Sequence, residues 1–306
     1  MLSNERGTLY VVATPIGNLA DISQRARQTL AEVDLVAAED TRHSGRLLAA
    51  LGINSPMLAL HEHNETALLG QIMQRLDGGQ CIALISDAGT PLISDPGFAL
   101  VRELRRQGYA VVPIPGANAA ITALSAAGLA TDRFLFLGFP PRTGPARRRL
   151  FEQLATETAT LVFYESCHRL QDCLRDMQLG FGPQRRAILA RELTKLHETF
   201  IDAPLAQLVE RVSEDADQRR GEMVLLLEGN TDQPADPKAQ DAERVLKILL
   251  QELPLKQAAS LASGITGLRR NDLYQLGLEQ KTEDRGQRTE DGRQKTDFCV
   301  AARQIK

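Results

Sequence analysis

Tryptophan is absent from the 306-residue chain, cysteine occurs only four times, and no apolar run is long enough to cross a membrane. Missing tryptophan excludes little. The cysteines, Cys81, Cys167, Cys173 and Cys299, form no C-x-x-C pair, which argues against a zinc cluster and fits a reducing cytoplasm. A membrane helix needs roughly 18 apolar residues, and Met1 to Ala20 lacks the basic-then-apolar build of a signal peptide. A soluble cytoplasmic protein is expected. Net charge is also small, at -3, so no global field attracts a polyanion and nucleic-acid binding would need a local basic patch. Three motifs are missing as well: there is no G-x-x-x-x-G-K-[ST], no G-x-G-x-x-G after the first apolar run and no H-E-x-x-H. A P-loop nucleotidase, an ordinary dinucleotide-binding dehydrogenase and a zinc hydrolase each lose their strongest marker.

What the chain does have is alternation. Short β-rich runs at 8–14, 34–40, 57–63, 81–87 and 109–116 are separated by stretches whose apolar residues recur every three or four positions and often stop at glycine. Strand and helix in turn predict a mainly parallel sheet covered by helices, with ligands beyond the carboxyl ends of the strands. The loops "TPIGN", "AEDTRHSG", "HEHNE", "SDAGTP" and "PGANAA" would form that rim. They are rich in exposed main chain and carboxylates, with almost no cations. Such a rim suits a zwitterionic or cationic ligand better than a phosphate, and S-adenosylmethionine has that character.

At "PPRTGPARRR" (140–149) proline, glycine and four arginines interrupt the pattern, which sets the expected domains at 1–139 and 140–230. The second block, with strands near 158–166, 186–194 and 221–229, reads as α/β with an antiparallel component. Residues 231–241 read as a polar linker, 242–280 as a helical module turning at Gly264 to Gly267, and the charged, nearly repetitive 281–306 as a disordered tail.

In order and spacing, "TPIGNLADIS", "AEDTRHSG", "SDAGTPLISDPG", "PIPGANAAITALSAAGL", "FYESCHRL", "ARELTK" and "GEMVLLLEG" resemble the tetrapyrrole methylase-like family of S-adenosylmethionine-dependent methyltransferases. The likeness covers about residues 7 to 280. It implies a two-domain class III methyltransferase fold, a homodimer, and a cofactor cleft between the domains. "EDTRHSG" and "SDAGTPLISDPG" are similar to the branch that methylates a cytidine 2′-hydroxyl of 16S ribosomal RNA, with a tetrapyrrole-directed enzyme of the same fold as the alternative. On this resemblance the cofactor would meet Pro15, Gly17, Asp87, Ala88, Gly89, Thr90, Pro91, Ala119 and Ala120 from the first domain. Tyr164, Glu165, Leu193, Glu222 and Met223 would meet it from the second.

Transfer to a ribose oxygen gains mainly from alignment and from a base for the departing proton. Glu39, Asp40 and His43 are the leading acceptors, with His61, His63 and Glu192 also at the rim. Spacing singles out none of them. For RNA, Arg142, Arg147, Arg148 and Arg149 form a run without an intervening acid, which Arg42 and Lys195 would extend. A third possibility is a non-catalytic RNA-binding protein in which the rim glycines only turn the chain.

Overall fold

The computed structural model describes residues 6–61, 63–231 and 237–278. The first sheet comprises β1 (Thr8–Val12), β2 (Leu35–Ala38), β3 (Met57–Ala59), β4 (Ile82–Ile85) and β5 (Ala110–Ile114), all parallel, in the order β3-β2-β4-β1-β5. Crossovers are made by α1 (Gln24–Glu32), α2 (Thr41–Ala50), α3 (Glu65–Asp77) and α4 (Phe98–Arg106). Strand β4 shows why this order holds: all four of its residues are buried, as a strand covered on both faces requires. Ile82 and Leu84 pack with Ile72, Leu76, Leu100 and Leu104 of α3 and α4. Ala83 and Ile85 face Ala26, Leu30 and Leu48 of α1 and α2.

The next helix, α5 (Ala119–Ala126), leaves the first sheet and covers a second one. Its Ala120, Ala123 and Leu124 pack on Val162, Ile188, Val224 and Leu226. That sheet contains β6 (Phe134–Phe136), β7 (Thr160–Ser166), β8 (Arg186–Arg191), β9 (Thr199–Pro204) and β10 (Glu222–Leu227), in the order β6-β7-β10-β8-β9. Only β6 and β7 run parallel. Its other face is filled by α6 (Gly144–Gln153), α7 (Leu170–Phe181) and α8 (Leu205–Glu214), with Phe151 and Phe163 fully buried between them.

Both sheets lie in one compact unit, 1–230. The change of sheet comes before the composition break at 140, because β6 already pairs with β7. The arginine-rich run is the entry to α6, with Thr143 at its N-cap and proline in its first turn.

The second unit begins at Thr231. There α9 (Pro237–Glu252) starts inside the expected linker, and α10 (Leu255–Thr266) ends at Gly267, whose φ of 76° makes the left-handed cap; Gly264 is helical. With a helical stretch at 270–278 these enclose Ala242, Leu246, Ala258, Ala259, Ala262 and Leu273. The expected tail, 281–306, lies outside the described residues.

Candidate active site

At the switch between β1 and β4 the two following loops are tied together by main chain. Thr14 N donates to Gly89 O at 2.8 Å, and Gly89 N to Thr14 O at 3.1 Å. Gly89 has φ of 83°, a conformation that favours glycine, and a Cβ there would press on Ile16 Cγ2 at 3.3 Å. Beside this bridge is a cavity of about 410 Å³, within the usual range for small-ligand sites.

Nine of the fourteen residues expected to hold the cofactor line it: Ala88, Gly89, Thr90, Ala119, Tyr164, Glu165, Leu193, Glu222 and Met223. The other five, Pro15, Gly17, Asp87, Pro91 and Ala120, do not. Asp87 turns toward β2, where its Oδ1 accepts from Asp40 N at 3.1 Å. Ala120 is buried on the second sheet. Gly17 serves the neighbouring loop: a Cβ on it would come within 2.5 Å of Lys195 Cγ. Sequence reasoning did not single out Ile16, Asp95, Asn118, Phe139 or Gly221, which also line the cavity, as does Cys167 of "FYESCHRL".

At its edge a polar contact ties α5 to the second sheet. Tyr164 Oη accepts from Ala120 N at 3.2 Å, in the first turn of α5, which Asn118 caps through Ile121 N at 3.1 Å. Phe136 and Phe139 hold the tyrosine ring edge-on, with centroids at 4.9 and 5.7 Å. Burial pushes the Tyr164 phenol up from its ordinary value.

The expected proton acceptors separate clearly. Asp40 is the N-cap of α2 and carries the Arg42 guanidinium, and that guanidinium with the Arg42 amide holds its carboxyl down at about 2. It is a capping group. Glu192 Oε1 accepts from Lys195 Nζ and from Glu222 N, both at 2.8 Å. His43, His61 and His63 are exposed. Glu39 is half-buried and raised, first by burial and then by the charges of Asp95 and Asp87, but it is not a wall residue of the cavity. Asp95 is a wall residue, and burial likewise raises its carboxyl.

The cation track is corrected in the same way. Arg147 is buried and donates from Nε to Asp176 Oδ2 at 2.8 Å, while Arg148 reaches Oδ1 at 3.1 Å. Arg42 is paired with Asp40, and Lys195 with Glu192 and Glu222. Arg142 and Arg149 are exposed.

A site of this build agrees with what the chain resembles. The model for Tetrapyrrole (Corrin/Porphyrin) Methylases matches residues 8–209. The chain belongs to this family. It is a methyltransferase, and a second model, the RsmI C-terminal HTH domain, matches 236–281. Among curated relatives, the Escherichia coli O157:H7 protein named ribosomal RNA small subunit methyltransferase I is 54% identical over 278 residues, 91% of this chain and 97% of its own. The Pseudomonas aeruginosa protein of that name is 55% identical over 276 residues, covering 90% and 98%. Uroporphyrin-III-C-methyltransferase from Thermus thermophilus shares the fold at a TM-score of 0.53 and 21% identity, over 73% of this chain and 94% of that one. Diphthine synthase does so at 0.53 and 14%, over 72% and 90%.

The cavity fits the family's cofactor. Ile16, Leu193, Met223 and Val224 give apolar surface for a purine ring, and the amides and carbonyls of Ala88 to Thr90 give main-chain partners. The carboxylates of Asp95, Glu39 and Asp87 form a negative cluster suited to a sulfonium and an ammonium.

Proposed function

We propose that this protein transfers a methyl group from S-adenosylmethionine to the 2′-oxygen of a cytidine in 16S ribosomal RNA, in the cytoplasm and as a homodimer. Relatives more than half identical over nine-tenths of the chain, and named for small-subunit ribosomal RNA, carry this reading. Bound S-adenosylmethionine supplies a methyl group already activated by a cationic sulfur. The protein's share is therefore alignment, worth several kcal/mol when reacting atoms are held in line. Ala88 to Thr90 and Ala119 would fix the amino-acid end and Leu193, Glu222 and Met223 the adenosine. Exposed Arg142 and Arg149 would meet phosphates, with the helical unit from α9 to residue 278 as a second RNA contact.

One observation favours a second product. Cys167 stands in the cavity wall, and methylation of a pyrimidine C5 needs a thiolate nucleophile. Nucleoside digestion of the methylated RNA separates the two chemistries. We expect 2′-O-methylcytidine, made equally by Cys167→Ser; a base-methylated nucleoside as the main product would refute the proposal. Sedimentation of the full chain tests the homodimer, and a monomer at micromolar concentration would remove that part.

A further inference from the structure

Methylation of a ribose leaves the base outside the chemistry. Only the 2′-oxygen has to reach the cofactor's methyl group, and a cavity of about 410 Å³, in the lower part of the usual range, has room for one small ligand. With the cofactor inside, the base has to rest at the mouth. Two large apolar side chains of the wall are exposed there, Phe139 at 55% and Ile93 at 37%, whereas Ile16, Leu193, Met223 and Val224 are buried. Of the two, Phe139 offers a flat ring.

The ring is held from both sides along the chain. Gly138 O accepts from Tyr164 N at 2.9 Å, while Arg169 Nη2 donates to Pro140 O at 2.7 Å and to Pro141 O at 3.2 Å. Arg169 is itself paired with Glu165, whose side chain is fully buried. Gly138 has φ of 60°, and a Cβ there would come within 2.9 Å of Ser94 Oγ, so the turn that presents Phe139 is seated on the loop after β4. The edge-to-face contact with Tyr164 takes up at most one face of the Phe139 ring. Other exposed phenylalanines are placed differently: the Arg102 guanidinium lies over Phe98 at 5.2 Å, and Phe134 and Phe200 belong to the edge strands β6 and β9.

We propose that Phe139 is the stacking platform for the base of the nucleotide being methylated, an assignment that deepens the ribose reading above and rests on it. Aromatic faces stack the bases of unpaired RNA with little regard to sequence, so Phe139 positions the nucleotide without selecting it. A platform already immobile in the free protein loses little freedom on binding. Arg142, exposed three residues further along the same loop, adds a planar cation for phosphate.

The test compares wild type with Phe139→Leu and Phe139→Tyr in the full chain, using unmethylated small ribosomal subunits as the RNA probe. Leucine keeps apolar bulk beside Tyr164 but has no ring face; tyrosine keeps the face. Phe139→Leu should weaken subunit binding and raise KM by about 5- to 100-fold, with S-adenosylmethionine affinity by calorimetry within about threefold of wild type. Phe139→Tyr should restore most of the loss. Ultraviolet irradiation of the wild-type complex, followed by digestion and mass spectrometry, should give a nucleotide adduct on the peptide that contains Phe139. Equal subunit affinity in wild type and Phe139→Leu overturns the assignment, as does a tyrosine variant no better than the leucine one, or an adduct confined to other peptides. Loss of cofactor affinity as large as the loss of subunit affinity also overturns it, because the ring would then serve the cofactor. Nucleosides from the wild-type reaction report separately on the ribose reading: a base-methylated product removes that reading and this assignment together, whereas 2′-O-methylcytidine with an unimpaired Phe139→Leu removes the stacking alone.

Discussion

Replacing Arg147 by alanine tests whether the arginine run at the start of α6 serves the fold or the RNA. Arg147 and Asp176 are 5% and 6% exposed, and the Arg147 guanidinium contacts one carboxylate oxygen through two of its nitrogens. Removing one partner of a buried pair costs about 3–5 kcal/mol, mostly because the other charge is left desolvated. Arg148, whose side chain is 43% exposed, would still reach Oδ1 and bring water with it. The low end, about 3 kcal/mol, is therefore expected. For a unit of this size each kcal/mol lowers the melting temperature by roughly 2–4 °C, so Arg147→Ala should melt roughly 6–12 °C below wild type. Arg149→Ala should melt with wild type. If it meets a phosphate, it should reduce the slope of log affinity for RNA against log salt by about 0.7 to 0.9. Thermal unfolding by circular dichroism and RNA titrations across a salt series give both numbers. An Arg147→Ala protein that melts normally but has the shallower salt slope would refute the burial argument and return that guanidinium to the RNA surface.

Gly89→Val forces a β-branched residue to φ of 83° against Ile16, and calorimetry should show cofactor affinity reduced more than tenfold; micromolar binding by a folded variant would count against the site. Tyr164→Phe keeps both ring contacts but removes the bond to Ala120 N, so the urea midpoint should drop by the equivalent of about 0.5–1.5 kcal/mol and cofactor affinity should weaken. Glu39 is raised in the fold, so its ionisation costs stability as pH rises through the folded value and contributes none at low pH. Glu39→Gln should thus match or exceed wild-type melting temperature at neutral pH, with the advantage vanishing in the ordinary carboxylate range; a lower melting temperature at neutral pH would contradict this.

The five strands of the first sheet were legible because their apolar runs and glycine stops are local signals. Their order was not: placing β4 between β1 and β2 depends on pairing residues some fifty to seventy positions apart, such as Leu9 with Ile82 and Leu35 with Ile82. The edge strand β9, "TFIDAP", carries an aspartate and ends in proline, and escaped notice for that reason. The main-chain cofactor loop was readable from its glycines, whereas Asp95 was not separable from Asp87 on the same loop. Asp95 lines the cavity while Asp87 accepts from Asp40 N, a difference of direction that composition does not signal. Arg147 had a usable signal. It precedes Phe151 by four residues, so the two share a helix face, and Phe151 is fully buried.

The cavity wall is drawn from both sheets, with Ala88 to Thr90 on one side and Met223 and Val224 on the other. A molecule seated there touches both halves of the unit and acts as a fastener between them. Because such a molecule binds the native arrangement and not the unfolded chain, mass action adds RT ln(1 + [L]/Kd), about 2.7 kcal/mol at a hundredfold excess over Kd. Substrate and demethylated product share the adenosine and amino-acid ends, so both would fasten the halves, and turnover would not loosen the protein. Occupancy of the cavity by either molecule would then slow proteolysis of this unit, whichever of the two the cell holds in excess.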